Sequence, residues 1–170
     1  METLLTKHLL LRPWKITDAE ALYAQAHNPI IGKRCGWNPH KSVDESREII
    51  EVVLSKPHSF AICLANNIPI GSIGLLLQGE SNLPISESEA EIGYWLGEDF
   101  WGKGYVTEAT LRVIHMLLNS CTLPSYGQAY TRKILPHSEY LKNVGLVIII
   151  PLKISCFHSQ GRGIQVSYIH

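Results

Sequence analysis

Two glycines one residue apart carry the first chemical signal in this chain. In Trp101-Gly102-Lys103-Gly104-Tyr105 they stand between an apolar, strand-like segment and a run with helical period. Glycine adopts positive φ readily and lets a ligand come close to the backbone. The first N–H groups of a following helix lack intrahelical acceptors, and the helix dipole favours an anion beside them. Gly102 and Gly104 therefore bracket a turn suited to cradling phosphate oxygens. An ordinary strand-to-helix turn has the same spacing, so the flanking residues must decide between the two readings.

The elements around the turn follow from periodicity. Leu9 to Arg12 reads as a first strand ended by Pro13. Thr17-Asp18-Ala19-Glu20 has capping-box spacing and is followed by Ala19, Leu22, Tyr23 and Ala26 with helical period; Ser42-Val43-Asp44-Glu45 repeats the signature before Ile49, Ile50, Val53 and Leu54. Between them Pro29 to Lys41 reads as a loop, because Gly32, Gly36 and Pro39 discourage regular structure. Ser59 to Leu64 and Ile70 to Leu77 form an expected hairpin about Ala65-Asn66-Asn67-Ile68-Pro69, and Ala90 to Leu96 is a further strand. Val106, Ala109, Thr110, Val113 and Ile114 continue as a helix. This order predicts an α/β (α+β) domain with a mostly antiparallel central sheet flanked by helices.

Composition narrows the function. A chain of 170 residues suits a single domain over 1–170, and equal numbers of acidic and basic side chains, 15 each, give no electrostatic footprint for nucleic acid or an anionic membrane. Leu146 to Ile150, the strongest apolar run of the tail, is far too short to span a bilayer. Arg12 and Lys15 follow the apolar stretch near the N-terminus, unlike a signal peptide. Cys35, Cys63, Cys121 and Cys156 are scattered, without CxxC or paired-histidine spacing, so neither a metal site nor a disulfide framework is indicated. His8, His27, His40 and His58 show no ligand spacing either and read as surface residues. A cytoplasmic domain is the expectation.

The stretch from Glu91 to Ala109, EIGYWLGEDFWGKGYVTEA, resembles the GNAT acyltransferase superfamily, in particular the branch of ribosomal-protein N-terminal (alanine/serine) acetyltransferases. Leu9-Leu-Leu-Arg-Pro-Trp14 and the helix near Asp18 are similar to that family's first strand and helix, and the resemblance runs from residue 4 to 115. It implies an N-acetyltransferase that moves the acetyl group of acetyl-CoA to a primary amine, on a protein N-terminus or a small molecule. It also implies a strand that splays from its neighbour to hold pantetheine. By position, Tyr94, Trp95 and Leu96 would meet pantetheine, while Gly102, Lys103, Gly104, Tyr105, Val106 and Thr107 would present backbone groups to pyrophosphate. Asp99 departs from the family's frequent Arg or Gln and removes a phosphate contact.

The implied reaction needs a base. A lysine-type amine with pKa about 10.4 is almost wholly protonated at neutral pH, an α-amino group near 8 less so, and a carboxylate can accept the proton directly or through water. Glu91 is the first candidate and Glu89 the second; the alternative for both is a solvated, charged strand edge. Trp37, after the first helix, is expected to line the acceptor pocket, the alternative being a packing anchor.

The last third breaks the pattern. Residues 116–170 contain one acid, Glu139, and one alanine, Ala129, and Pro124 and Pro136 stand where the family has helices. Shifting the reading frame, so that each codon joins the third base of one codon to the first two of the next, permits LWASIYEENTASQRVLEKCGF over Ser125 to Leu146. That string resembles the missing family segment of strand, Asn-bearing turn, helix and Gly-Phe. Two bases of every shifted codon are dictated, and no stop is forced. A frameshift near His115 is thus the reading of the tail, with 1–115 family-like and 116–170 aberrant. The loss is expected to leave Ile73, Leu75, Ile92 and Tyr94 partly uncovered. The alternatives to an active enzyme are a frameshifted remnant without catalysis, or a CoA-binding or protein-interaction module whose tail docks a partner through Leu146 to Ile150.

Overall fold

A computed structural model describes residues 3–77, 79–80, 90–120, 150–154 and 166–167. Its centre is an antiparallel sheet in which sequence neighbours are spatial neighbours. The strands are β1 (Leu4–Leu5), β2 (Leu10–Arg12), β3 (Ser59–Cys63), β4 (Pro69–Leu76) and β5 (Ala90–Leu96), followed by β6 (Ile150–Ile154) and β7 (Val166–Ser167). The helices are α1 (Ala19–Ala26), α2 (Pro29–Cys35), α3 (Val43–Ile49) and α4 (Tyr105–Ser120), with a π turn over Ile50–Leu54 after α3. No helix among the described residues is long and apolar enough to cross a membrane.

Alternation along the strands separates two cores. On one face Phe60, Ile62, Ile73, Leu75, Ile92, Tyr94 and Leu96 pack with Val106, Ala109, Val113 and Ile114 of α4. On the other, Ala61 and Cys63 pack with Trp14, with Ala19, Leu22 and Ala26 of α1, and with Ile50. The sheet is therefore covered on both sides. Ile73, Leu75, Ile92 and Tyr94, expected to be partly uncovered, are at most 5% exposed. The apolar stripe of α4 covers them, and α4 runs on to Ser120, beyond His115, with Met116 and Leu117 packed against the same core.

Two local expectations need correction. The expected loop Pro29 to Lys41 begins with α2, capped by Asn28, whose side chain accepts from the Ile30 N–H at 2.9 Å. Pro29 in the first turn and Gly36 at φ 76° just beyond the end are the signature of a short helix. At the start of α1, Thr17 does not cap. Residues Ile16–Asp18 form a 3-10 turn, and the Asp18 carboxylate accepts from the Lys15 N–H at 2.9 Å. Asp18 is drawn there by Arg12, which donates to it at 2.6 and 2.9 Å. Ser42 does cap α3 as expected, accepting from the Glu45 N–H at 3.1 Å. The tail strand expected over Leu146 to Ile150 lies outside the described residues except for Ile150, where β6 begins.

Candidate active site

The glycine turn lies at the C-terminal end of β5. Gly97 donates to the Ile70 carbonyl at 2.8 Å, which fixes the strand end, and Glu98–Phe100 then form a 3-10 turn. The Trp101 indole N–H donates to the Leu96 carbonyl at 2.8 Å and ties the turn back to the strand. Gly102 and Gly104 have φ of 72° and 79°, and a Cβ on either would meet nothing within 4 Å. Backbone conformation, not crowding, therefore calls for glycine at both positions.

The first helical hydrogen bond of α4 runs from the Glu108 N–H to the Gly104 carbonyl at 3.0 Å. The amides of Tyr105, Val106 and Thr107 precede it and have no intrahelical acceptor. Gly102, Lys103 and Gly104 are exposed, so an anion can approach these donors. Two cations flank the turn. Lys103 lies 5.4 Å from the Phe100 ring, with Nζ donating to the Asp99 carbonyl at 2.8 Å. Arg34, which sequence reasoning passed over, stands 4.8 Å above the Trp101 ring. Only the course of α2 brings it there.

The strand carries the remaining candidates. Tyr94 and Leu96 point into the α4 core, 2% and 4% exposed, so what they can offer a ligand is backbone. Among the described residues β6 pairs with Ala90 to Ile92, and β4 pairs with β5 as far as Leu96. The opposite face of β5 bears Glu91, Gly93 and Trp95 in register with Leu76, Gly74 and Ser72 of β4. Two half-exposed glycines thus face each other in the middle of the ladder. They leave a trough with Trp95 at one end and Glu91 at the other, about 13 Å apart along the strand.

Three indoles gather at the tryptophan end. Trp14 stacks on Trp95 at 6.5 Å, Trp37 meets Trp95 edge-on at 6.1 Å, and the Trp14 indole donates to Ser72 Oγ at 3.2 Å. Trp37 therefore does stand beside the strand that holds the candidate base, and it packs there as well. At the other end Glu91 is only 2% exposed, which removes the alternative of a solvated strand edge for this residue. Glu89 lies outside the described residues. His8, His27 and His58 are exposed, but His40 is half-buried, its ring 5.4 Å from Trp37. The surface assignment fails for that histidine because its loop folds against α1, with the His40 N–H donating to the Ala26 carbonyl at 3.1 Å.

The two cysteines among the described residues, Cys35 and Cys63, do not compete as nucleophiles. Burial pushes the Cys35 thiol up to about 11 against the opposing hydrogen bond to Trp37 and the charge of Arg34. Burial likewise raises Cys63 to about 11, with Arg12 opposing. Neither is appreciably thiolate at neutral pH. The candidate site therefore combines an open glycine turn before a helix start, an aromatic wall and the buried carboxylate of Glu91.

Comparison with known proteins agrees with this geometry. A family model described as an acetyltransferase (GNAT) domain matches residues 8–133. An uncharacterized N-acetyltransferase p20 of Bacillus licheniformis is 32% identical over 129 residues, covering 72% of this chain and 70% of the relative. Among solved structures, a GNAT-family acetyltransferase from Bacillus anthracis superposes with a TM-score of 0.59 at 20% identity, over 72% of this chain and 69% of that one. An acetyltransferase from Agrobacterium tumefaciens gives 0.54 at 25% identity, over 73% and 71%. With a family model matched over most of its length and a relative 32% identical across 72% of it, the chain belongs to the GNAT acetyltransferase family.

Proposed function

We propose that this protein is an acetyl-CoA-dependent N-acetyltransferase acting on a primary amine. The observation that carries the reading is the joining, on one strand, of the Gly102–Gly104 turn with its unclaimed amides to the trough that ends at Glu91. In this reading the backbone of Gly102 to Thr107 holds the pyrophosphate, with Lys103 and Arg34 adding positive charge. The strand backbone from Tyr94 to Leu96 receives pantetheine, and the acceptor lies in the trough beside Trp37 and Trp95.

Glu91 accepts the proton of the amine, with Glu89 as the second candidate. The freed nitrogen attacks the thioester carbonyl, the C–N bond forms, the C–S bond breaks, and the thiolate leaves to be protonated as free coenzyme. The acceptor is a protein N-terminus of the ribosomal-protein alanine/serine type or a small-molecule amine, and we assign the enzyme to the cytoplasm. Calorimetric titration with acetyl-CoA, followed by turnover on an Ala-initiated tripeptide, tests the reading. Micromolar binding with thiol release supports it; absence of heat supports the remnant instead.

We further propose that the tail arises from a frameshift near His115, with 1–115 family-like within a single domain. The alternate-frame string over Ser125 to Leu146 supports this. The nucleotide sequence of codons 110–150 decides it: third bases that spell something else make the tail an evolved structure.

A further inference from the structure

We propose that Ser72 is a positioning residue for the acceptor trough: through Trp14 it holds the Trp95 indole back from Gly93 and so keeps the trough open. The inference rests on the acetyltransferase reading above and adds to it a residue that acts through the indole wall. Its foundation is the setting of Trp95. Residues two apart on a strand share a face, and on this one Trp95 lies between Gly93 and Gly97, with Ser72 directly across on β4. At Gly97 the space a Cβ would take is filled by the Gln25 carboxamide. At Gly93 a Cβ would meet only Leu76 among the described residues, its nearest atom 3.4 Å away. The strand therefore closes one side of the Trp95 indole and leaves the other free, so a change of χ1 rotamer can carry the ring over Gly93 and into the trough.

What opposes that swing comes from other segments. Trp14 stacks on Trp95 with ring centroids 6.5 Å and planes 22° apart, and Trp37 meets it edge-on at 6.1 Å. Trp37 is half-buried on the stretch after α2, whereas Trp14 and Ser72 are only 6% and 5% exposed. An indole N–H only donates, so the 3.2 Å contact of Trp14 Nε1 with Ser72 Oγ has one direction. Ser72 donates its own hydroxyl proton to the Phe60 carbonyl, also at 3.2 Å. Trp14 is thereby tied through one hydroxyl to the backbone of β3, in the middle of the sheet. Stacking passes the constraint on to Trp95, the ring that bounds the trough. Trp14 lies in the core of the α1 face, so the anchor is shielded from solvent while the ring it holds is only half-buried.

The test uses the full chain labelled with 5-fluorotryptophan, 19F NMR, and initial rates with acetyl-CoA and either an Ala-initiated tripeptide or 1,4-diaminobutane, whichever is the better acceptor. Ser72→Ala removes the partner of the Trp14 N–H. Trp14→Phe removes the donor and leaves Ser72 bonded to Phe60, so no buried polar group is orphaned and the fold is kept even if Ser72→Ala loses it. Both variants are expected to raise the acceptor KM about fivefold, with kcat and the acetyl-CoA KM within about twofold of wild type. In both, the Trp95 fluorine resonance moves and broadens as the ring samples a second rotamer. A bond that serves only stability would lower the urea midpoint and leave the acceptor KM and the Trp95 resonance at their wild-type positions; that result overturns the proposal while the acetyltransferase reading stands. If the wild type neither binds acetyl-CoA nor acetylates either amine, that reading falls and this inference falls with it.

Discussion

Gly74 and Gly93 stand directly opposite each other on the face of the sheet that carries Glu91 and Trp95. Their missing side chains make the trough, and they differ in what they tolerate. A Cβ on Gly93 would touch only Leu76 Cδ1, at 3.4 Å, whereas one on Gly74 would lie 3.1 Å from the His58 carbonyl. Gly93→Val is therefore expected to fold, since valine suits a strand, and to fill the trough. The acceptor KM should rise at least tenfold while CoA binding by calorimetry stays at the wild-type value. Unchanged kinetics would place the acceptor elsewhere.

The turn is tested at Gly104, whose φ of 79° suits glycine or asparagine. Gly104→Asn is expected to keep acetyl-CoA affinity within a few fold. Gly104→Glu places a carboxylate where the diphosphate would sit and adds backbone strain of about 1–2 kcal/mol. Its Kd for acetyl-CoA should be weaker by at least tenfold. Equal affinities for the two variants would move the nucleotide away from this turn.

Arg12 and Asp18 form a two-bond ion pair, at 5% and 7% residue exposure, and Asn67 completes it by accepting from Arg12 Nε at 2.6 Å. The hydrogen bond to Asp18 raises the Arg12 pKa against its desolvation. Removing one partner leaves a buried charge, at a cost of about 3–5 kcal/mol. Asp18→Asn should lower unfolding stability by about that amount in urea titration, with Asp18→Leu less affected if paired with Arg12→Met.

Glu108 of α4 accepts from the His8 backbone N–H at 2.7 Å and contacts the ring Nδ1 at 2.8 Å. Burial works to raise its pKa, but hydrogen bonds from Thr6 and His8 outweigh that and lower it. A carboxylate lowered by folding contributes stability in full above its ordinary value of 4.5, and the contribution is lost as pH falls through the lower folded value. Glu108→Gln should be less stable than wild type at pH 7, with the difference shrinking below pH about 4. A constant difference from pH 7 to 3 would show that the carboxylate charge is not involved.

The sheet was legible because its signals are local. Alternation and Asn-rich turn chemistry marked β3 and β4, and Ala90 to Leu96 was read with the bounds it has. Helix α2 escaped because Gly32 lies inside it; a glycine read as a breaker is here held by packing, with a Cβ only 2.6 Å from the Trp37 carbonyl. Arg34 escaped for a different reason, since the ring it stands over, Trp101, lies far along the chain.

By itself, the order of residues determined the turn and the strand before it: two glycines, a helix start and an alternating β5 are set by backbone preferences within a few positions. Only the tertiary structure decided which side chains meet. The burial of Glu91, the glycine pair across β4 and β5 and the triad of indoles depend on segments distant in the chain. Such contacts arise from the packing of whole elements against the sheet, and no local preference encodes them.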